Sequence, residues 1–293
     1  MRSQQAVEVP RHALAGLRVV SFESRRAAEI AELIRRYGGT PILAPSMREV
    51  PRNDDTRAVD YLSRLAAGEI EIVVLMTGVG LRMLLDAAAD QWPRDRVVAA
   101  LKRATLVARG PKPVAALRAL GLRPDVTIPE PNTWREILAT LDAQLPVAGK
   151  RVAVQEYGTR NDALLQGLGA RGAHVERVSI YRWALPADLG PLRAAISAVR
   201  DGEIDIALFT SATQVSHLFQ VASAEAEDGA ERLRAGFARV LIASIGPVCS
   251  QAIRAHGLSA DLEPAHAKMG QLVAEVARRG RQLLDEKRSF HAA

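Results

Sequence analysis

Apolar and polar positions alternate along the chain with two periods. Short apolar runs at 17–22, 40–44, 70–76 and 105–108 have the length of buried strands. Between them, apolar residues recur at helical spacing, as in Ala27, Ile30, Ala31, Leu33, Ile34 and Tyr37. Gly38 and Gly39 stop that pattern. Helices are predicted over 27–37, 57–67, 81–89, 97–102, 112–120 and 134–141, with a short strand at 126–128. Strands alternating with helices predict parallel sheets covered on both faces. Ligands of such sheets bind beyond the carboxyl ends of the strands.

The whole pattern then repeats. Glu23 and Glu156 each end an apolar strand and lie 133 residues apart, as do Gly39 and Gly172. The strand before Thr77-Gly78 matches the strand before Ser211-Ala212, and Gly110-Pro111 matches Gly246-Pro247. A repeat this long means two homologous domains rather than a solenoid. The expected fold class is α/β: two similar lobes, each a parallel sheet flanked by helices, facing each other across a cleft. Residues 278–293 read as a charged helical tail with no counterpart in the first copy, and residues before about 15 as loosely ordered.

Composition narrows the function classes. The 293 residues suit two domains, and 48% hydrophobic with 25% charged residues is globular. Cys249 is the single cysteine, which excludes an internal disulfide and fits a cytoplasmic setting. No apolar run reaches membrane-spanning length, and the first residues carry no hydrophobic signal core. A net charge of +6 allows a polyanionic small molecule. With aromatics at 4%, stacking platforms for nucleic acid are scarce, and none is expected as a partner.

Among motifs, Gly167, Gly169 and Gly172 match the glycine spacing of a dinucleotide site. They follow a helix and precede a strand, the reverse of the required order, so Gly172 reads as a helix C-cap. The six histidines show no metal-ligand spacing, and no phosphate loop or nucleophile elbow is present. No cofactor or metal is therefore expected. Small residues gather instead at strand-to-helix junctions: Thr77-Gly78, Gly158-Thr159, Ser211-Ala212-Thr213 and Gly246-Pro247-Val248-Cys249. Such junctions expose backbone N–H groups that attract anions, although any parallel fold also needs small residues at tight turns. Tyr181 reads either as a half-buried strand aromatic or as a phenol that donates a hydrogen bond or proton.

These pieces, with Val154-Gln-Glu-Tyr-Gly158, the run from Gly172 to Tyr181, Phe209-Thr-Ser211 and Gly257-Leu258, resemble the uroporphyrinogen-III synthase family over roughly 17–277. The resemblance implies that one lobe is discontinuous: 1–46 with 186–293, against 47–185, the chain crossing near 44–47 and 183–187 on two strands. It implies the cyclisation of hydroxymethylbilane with loss of water and inversion of ring D, in tetrapyrrole (haem, sirohaem or cobalamin) biosynthesis, by a cytoplasmic monomer without cofactor. Tyr181 matches the family's candidate acid. The implied substrate-binding positions are Thr77, Gly78, Arg109, Gly110, Lys112, Tyr157, Gly158, Thr159, Arg160, Ser211, Ala212, Thr213, Pro247, Val248 and Cys249. The chain departs from the family pattern at Val19–Glu23, at Met76-Thr-Gly78 and at Val248-Cys249. Those departures leave a second reading, a non-catalytic or regulatory relative that binds a tetrapyrrole or another polyanion.

Overall fold

The computed structural model describes residues 10–51, 55–156, 158 and 160–290. Two compact units divide the chain, Met1–Arg48 with Leu185–Ala293, and Glu49–Ala184.

The first unit is built on a four-stranded parallel sheet. Its strands are β1 (Arg18–Ser21), β2 (Thr40–Leu43), β10 (Ile206–Phe209) and β11 (Leu241–Ser244), in the order β11-β10-β1-β2. The second unit has a five-stranded parallel sheet of β4 (Ile72–Leu75), β5 (Thr105–Ala108), β6 (Val126–Thr127), β7 (Arg151–Gln155) and β8 (His174–Val178), in the order β6-β5-β4-β7-β8. The opening strands of each repeat thus pair with the later strands of the other repeat. β3 (Arg48–Pro51) and β9 (Tyr181–Ala184) form a separate two-stranded sheet.

Residues on the central strands point alternately to the two faces, and both faces are buried. In the first unit, Val19, Ile206, Leu208 and Leu241 pack with Ile30 and Ile34 of α1 (Ala27–Arg36) and with Leu272, Val276 and Leu284 of α12 (Met269–Phe290). Val20, Ala207, Phe209 and Ile242 face α8 (Gly190–Arg200), α9 (Ala212–Glu225), α10 (Gly229–Phe237) and α11 (Pro247–Ala255). In the second unit, Val73, Leu75 and Leu106 face α2 (Asp55–Ala66), α3 (Gly78–Ala88), α4 (Arg94–Leu101) and α5 (Pro111–Ala119). Val74, Val107 and Val154 face α6 (Trp134–Gln144) and α7 (Asp162–Ala170). Runs of buried Val, Ile and Leu are what a doubly covered parallel sheet requires.

Local signals explain the helix ends. After α1, the Gly39 N–H bonds the Ile34 carbonyl and the Gly38 N–H bonds the Arg35 carbonyl. After α7, Ala173 and Gly172 repeat that pattern on Leu168 and Gly169, with φ +77 at Gly172. Gly172 is therefore the left-handed residue that closes a helix, not a phosphate-loop glycine. The α6 start carries a capping box between Thr133 and Glu136.

One expectation is corrected, and a second gains a packing partner. Residues 10–15 are not loose: Leu14 is fully buried, and its N–H bonds the Tyr37 carbonyl at 2.9 Å. Leu14 and Ala13 pack into the core, and the Arg281 guanidinium donates to the Ala15 carbonyl. The charged helical segment expected after Ala277 is the continuation of α12, and it is packed. Gly280 and Leu284 are buried, Lys287 pairs with Asp261 at 2.7 Å, and Arg288 pairs with Asp205 at 2.8 Å. An apolar stripe runs on from Leu272 through Val276, Gly280 and Leu284, and the stripe ends beside the inward-turned Lys287 and Arg288.

Candidate active site

Each repeat places two helix N-termini side by side at the carboxyl ends of its strands. In the second unit, Thr77 caps α3, its Oγ1 accepting from the Gly80 N–H at 3.1 Å. Gly78 begins the helix directly against the first turn of α5, where a Cβ would lie 2.5 Å from the Lys112 carbonyl oxygen. Only glycine permits that approach. Gly110 is extended and precedes Pro111, and the Arg109 N–H bonds the Leu75 carbonyl. Proline at the first helical position gives up no bond, since that N–H would be unpaired. Lys112 is exposed on the same turn.

The first unit repeats the arrangement. Ser211 caps α9 by accepting from the Thr213 N–H at 3.3 Å. Gly246 and Pro247 open α11 as Gly110 and Pro111 open α5. Cys249 joins the two turns, because its thiol donates to the Phe209 carbonyl at 3.7 Å. Burial pushes that thiol up to about 11, outweighing hydrogen bonds from the Ser244 side chain and the Ile245 and Ser211 backbones. Cys249 therefore has its side chain in the core, and only its backbone belongs to the turn. Pro247 and Val248 are exposed, Ala212 is half-buried and Thr213 is buried. First-turn N–H groups have no partner within their helix, so each pair of helices forms a patch of donors with positive dipole ends.

The remaining sequence-predicted residues divide. Gly158 is in a bend with φ +86, a left-handed conformation that suits glycine. Arg160 is exposed and pairs with Asp162. Tyr157 and Thr159 lie outside the described residues. Tyr181 is a strand residue: β8 stops at Val178, and Tyr181 opens β9. The side chain of Tyr181 lies outside the described set.

Sequence reasoning did not find three features. The first is a cavity of about 370 Å³ in the second unit, lined by Arg57, Asp60, Tyr61, Glu176, Arg177 and the 178–180 segment. Burial and the Glu176 carboxylate both push the Tyr61 phenol up, so it remains a protonated donor. The second is the fate of the two strand-end glutamates. Glu156 is 3% exposed and held by Arg177 through two bonds, at 2.7 and 3.1 Å. Glu23 is half-buried and accepts from the Thr210 hydroxyl, from Gln214 Nε2 at 3.4 Å and from the Arg26 N–H at 3.2 Å. The repeat made both glutamates visible in the sequence, but not their partners. The third is His217, whose Nδ1 lies 2.7 Å from the Ser46 carbonyl oxygen, which assigns Nδ1 as the protonated nitrogen. No group of three or more metal-ligating side chains occurs among the described residues. None of their helices is long and apolar enough to cross a membrane.

Comparison with known proteins places these features in context. The family model described as HEM4, uroporphyrinogen-III synthase HemD, matches residues 28–274. The uncharacterized protein YjjA of Bacillus subtilis (strain 168) is 30% identical over 265 residues, covering 90% of this chain and 96% of that protein. A solved structure of a mutant uroporphyrinogen III synthase from Thermus thermophilus is 26% identical with a TM-score of 0.69, covering 92% of this chain and all of that one. A wild-type structure of the Thermus enzyme is 28% identical with a TM-score of 0.54, covering 91% and 99%.

Proposed function

The chain belongs to the uroporphyrinogen-III synthase HemD family, and on that premise we propose that it cyclises hydroxymethylbilane to uroporphyrinogen III. The observation that carries this reading is the pairing of helix N-termini in each repeat, α3 with α5 and α9 with α11. A linear tetrapyrrole bearing acetate and propionate groups needs several anion-binding patches, and backbone N–H groups at helix starts supply them. In this proposal the turns at Thr77-Gly78, Arg109 to Lys112, 157–160, Ser211 to Thr213 and Pro247 to Cys249 hold the carboxylates. The chemistry asks for little else. The terminal hydroxyl leaves as water, giving an azafulvene. The substituted carbon of the last ring attacks it to form a spiro intermediate. The original bond from that carbon to its methylene bridge then breaks, and the ring's free α-carbon bonds the released methylene and loses its proton, which leaves the ring inverted. Tyr181 is the proposed acid for the departing hydroxyl. The protein would act in the cytoplasm as a monomer without metal or organic cofactor.

The test is turnover of freshly prepared hydroxymethylbilane with the product isomers resolved, since uncatalysed closure gives the type I isomer. Wild type should give type III. Tyr181→Phe should lower its rate by about 10²–10⁴-fold, the contribution of one positioned acid, with little change in substrate affinity. Equal rates would reject Tyr181 as the acid.

One observation favours the second reading, a binding relative without turnover. The α11 turn offers no side-chain donor, because Pro247 and Val248 are apolar and the Cys249 thiol faces the core. Failure of wild type to make any type III isomer would select it.

A further inference from the structure

The duplication supplies an internal control for Glu23. Glu23 and Glu156 occupy the same position of the repeat, just beyond equivalent strand ends. Glu156 is neutralised, because Arg177 grips both carboxylate oxygens and the side chain is almost wholly buried. Among the described residues, the groups that hydrogen-bond the Glu23 carboxylate are a hydroxyl, a side-chain amide and a backbone N–H. These donors fix its orientation, and none of them is a guanidinium. The Arg26 guanidinium is engaged bidentately by Glu29 and reaches Glu23 only through space, without a hydrogen bond to its carboxylate. Thr210 and Gln214, which hold Glu23, flank the Ser211 cap of α9. The first unit therefore sets a fixed, half-exposed anion beside a patch that attracts anions. A ligand suited to both carries carboxylates and a cationic N–H within a few ångströms of each other.

We propose that Glu23 is a catalytic carboxylate that pairs with the N–H of the reacting pyrrole as it becomes cationic. This rests on the reading of the preceding subsection. When the C–O bond of the hydroxymethyl group breaks, the hydroxyl takes a proton from the acid and leaves as water. The pyrrole nitrogen supplies the electron pair, and the ring becomes an azafulvenium whose positive charge lies largely on its N–H. Glu23 accepts a hydrogen bond from that N–H and stabilises the charge without taking the proton. Attack by the substituted carbon of the last ring forms the new C–C bond and moves the charge to that ring. Because the ground-state pyrrole is neutral, the interaction strengthens only as the cation forms, which is the condition for raising kcat rather than affinity.

The experiment uses the intact protein and Glu23→Gln, which keeps the size and can keep the Thr210 contact. E23Q should lower kcat for type III formation by about 10²-fold, the scale of one preorganised electrostatic contact, and leave KM within about threefold. Equilibrium binding gives a second readout that needs no turnover. The probes are a bilane with a terminal aminomethyl group, whose ammonium stands near the developing cation, and a bilane with a terminal methyl group. Wild type should prefer the ammonium form by about tenfold or more, one additional charge-assisted contact, and E23Q should lose that preference. An unchanged kcat in E23Q, or a preference that is absent in wild type or retained in E23Q, overturns the proposal. If wild type makes no type III isomer, the synthase reading falls and the catalytic role of Glu23 falls with it, whereas type III formation at an unchanged rate in E23Q overturns the role of Glu23 alone. Should E23Q not fold, Glu23→Asp keeps the charge and carries the test. It should retain the ammonium preference, and loss of that preference in a folded E23D overturns the proposal.

Discussion

Gly80 and Gln155 form a pair whose energetics can be worked out. Gly80 is the third residue of α3, and Gln155, 1% exposed, lies across it. A Cβ at Gly80 would stand 1.5 Å from Gln155 Nε2, 2.4 Å from its Cδ and 2.8 Å from its Oε1. In Gly80→Ala the amide must move by about 2 Å to reach ordinary contact, and it has no open space to enter. The move gives up the Nε2 bond to the Glu156 carbonyl, 2.8 Å long, which costs about 1 kcal/mol. Overpacking adds about 1–3 kcal/mol, and alanine's better helix propensity returns at most about 1 kcal/mol. The net expectation is a loss of about 2 kcal/mol. Gln155→Ala alone should cost about 1 kcal/mol, since it removes the same bond but also an Oε1 that has no hydrogen-bond partner. Together the two substitutions should cost less than their sum by about 2–4 kcal/mol, because the clash disappears with the amide and the shared bond is lost only once. Urea unfolding followed by tryptophan fluorescence reads this cleanly, because Trp92, Trp134 and Trp183 all lie in the second unit. Additivity within about 0.5 kcal/mol, or a Gly80→Ala protein as stable as wild type, would refute the reasoning.

Three further outcomes are expected. Cys249, buried and with its thiol pushed up to about 11, should resist iodoacetamide at pH 8 in native protein and react once the first unit unfolds; rapid native labelling would contradict its placement. His217 is pushed below its ordinary value by burial, with the Ser46 carbonyl opposing, so it folds neutral. Its contribution is present above about pH 6.5 and lost as pH falls through the lower folded value, so wild-type stability should drop more than that of His217→Gln between pH 7.5 and 5. Equal slopes in the urea midpoints of the first unit would reject this. Leu284→Ala should destabilise the first unit by about 2–5 kcal/mol, measured from the urea dependence of Cys249 accessibility, whereas a freely solvated end of α12 predicts no change.

The sequence by itself determined the elements, their order and the duplication. Buried β-branched runs and helical spacing are local patterns, and the glycines that close α1 and α7 act within six residues. The strand-to-helix turns were legible for the same reason, because caps such as Thr77 and Ser211 bond groups two or three residues away. The tertiary structure alone decided what depends on distant partners. Arg177 silences Glu156 across 21 residues, whereas Thr210 and Gln214 hold Glu23 across 187 and 191. Two glutamates identical in the sequence pattern thus acquire different partners and different burial. The Cys249 side chain stood among small turn residues, and only packing against β10 turned it into the core. Likewise the charged face of α12 was plain in the sequence. Its buried stripe became visible only against the sheet and α1, because burial belongs to the pair of surfaces and not to either segment alone.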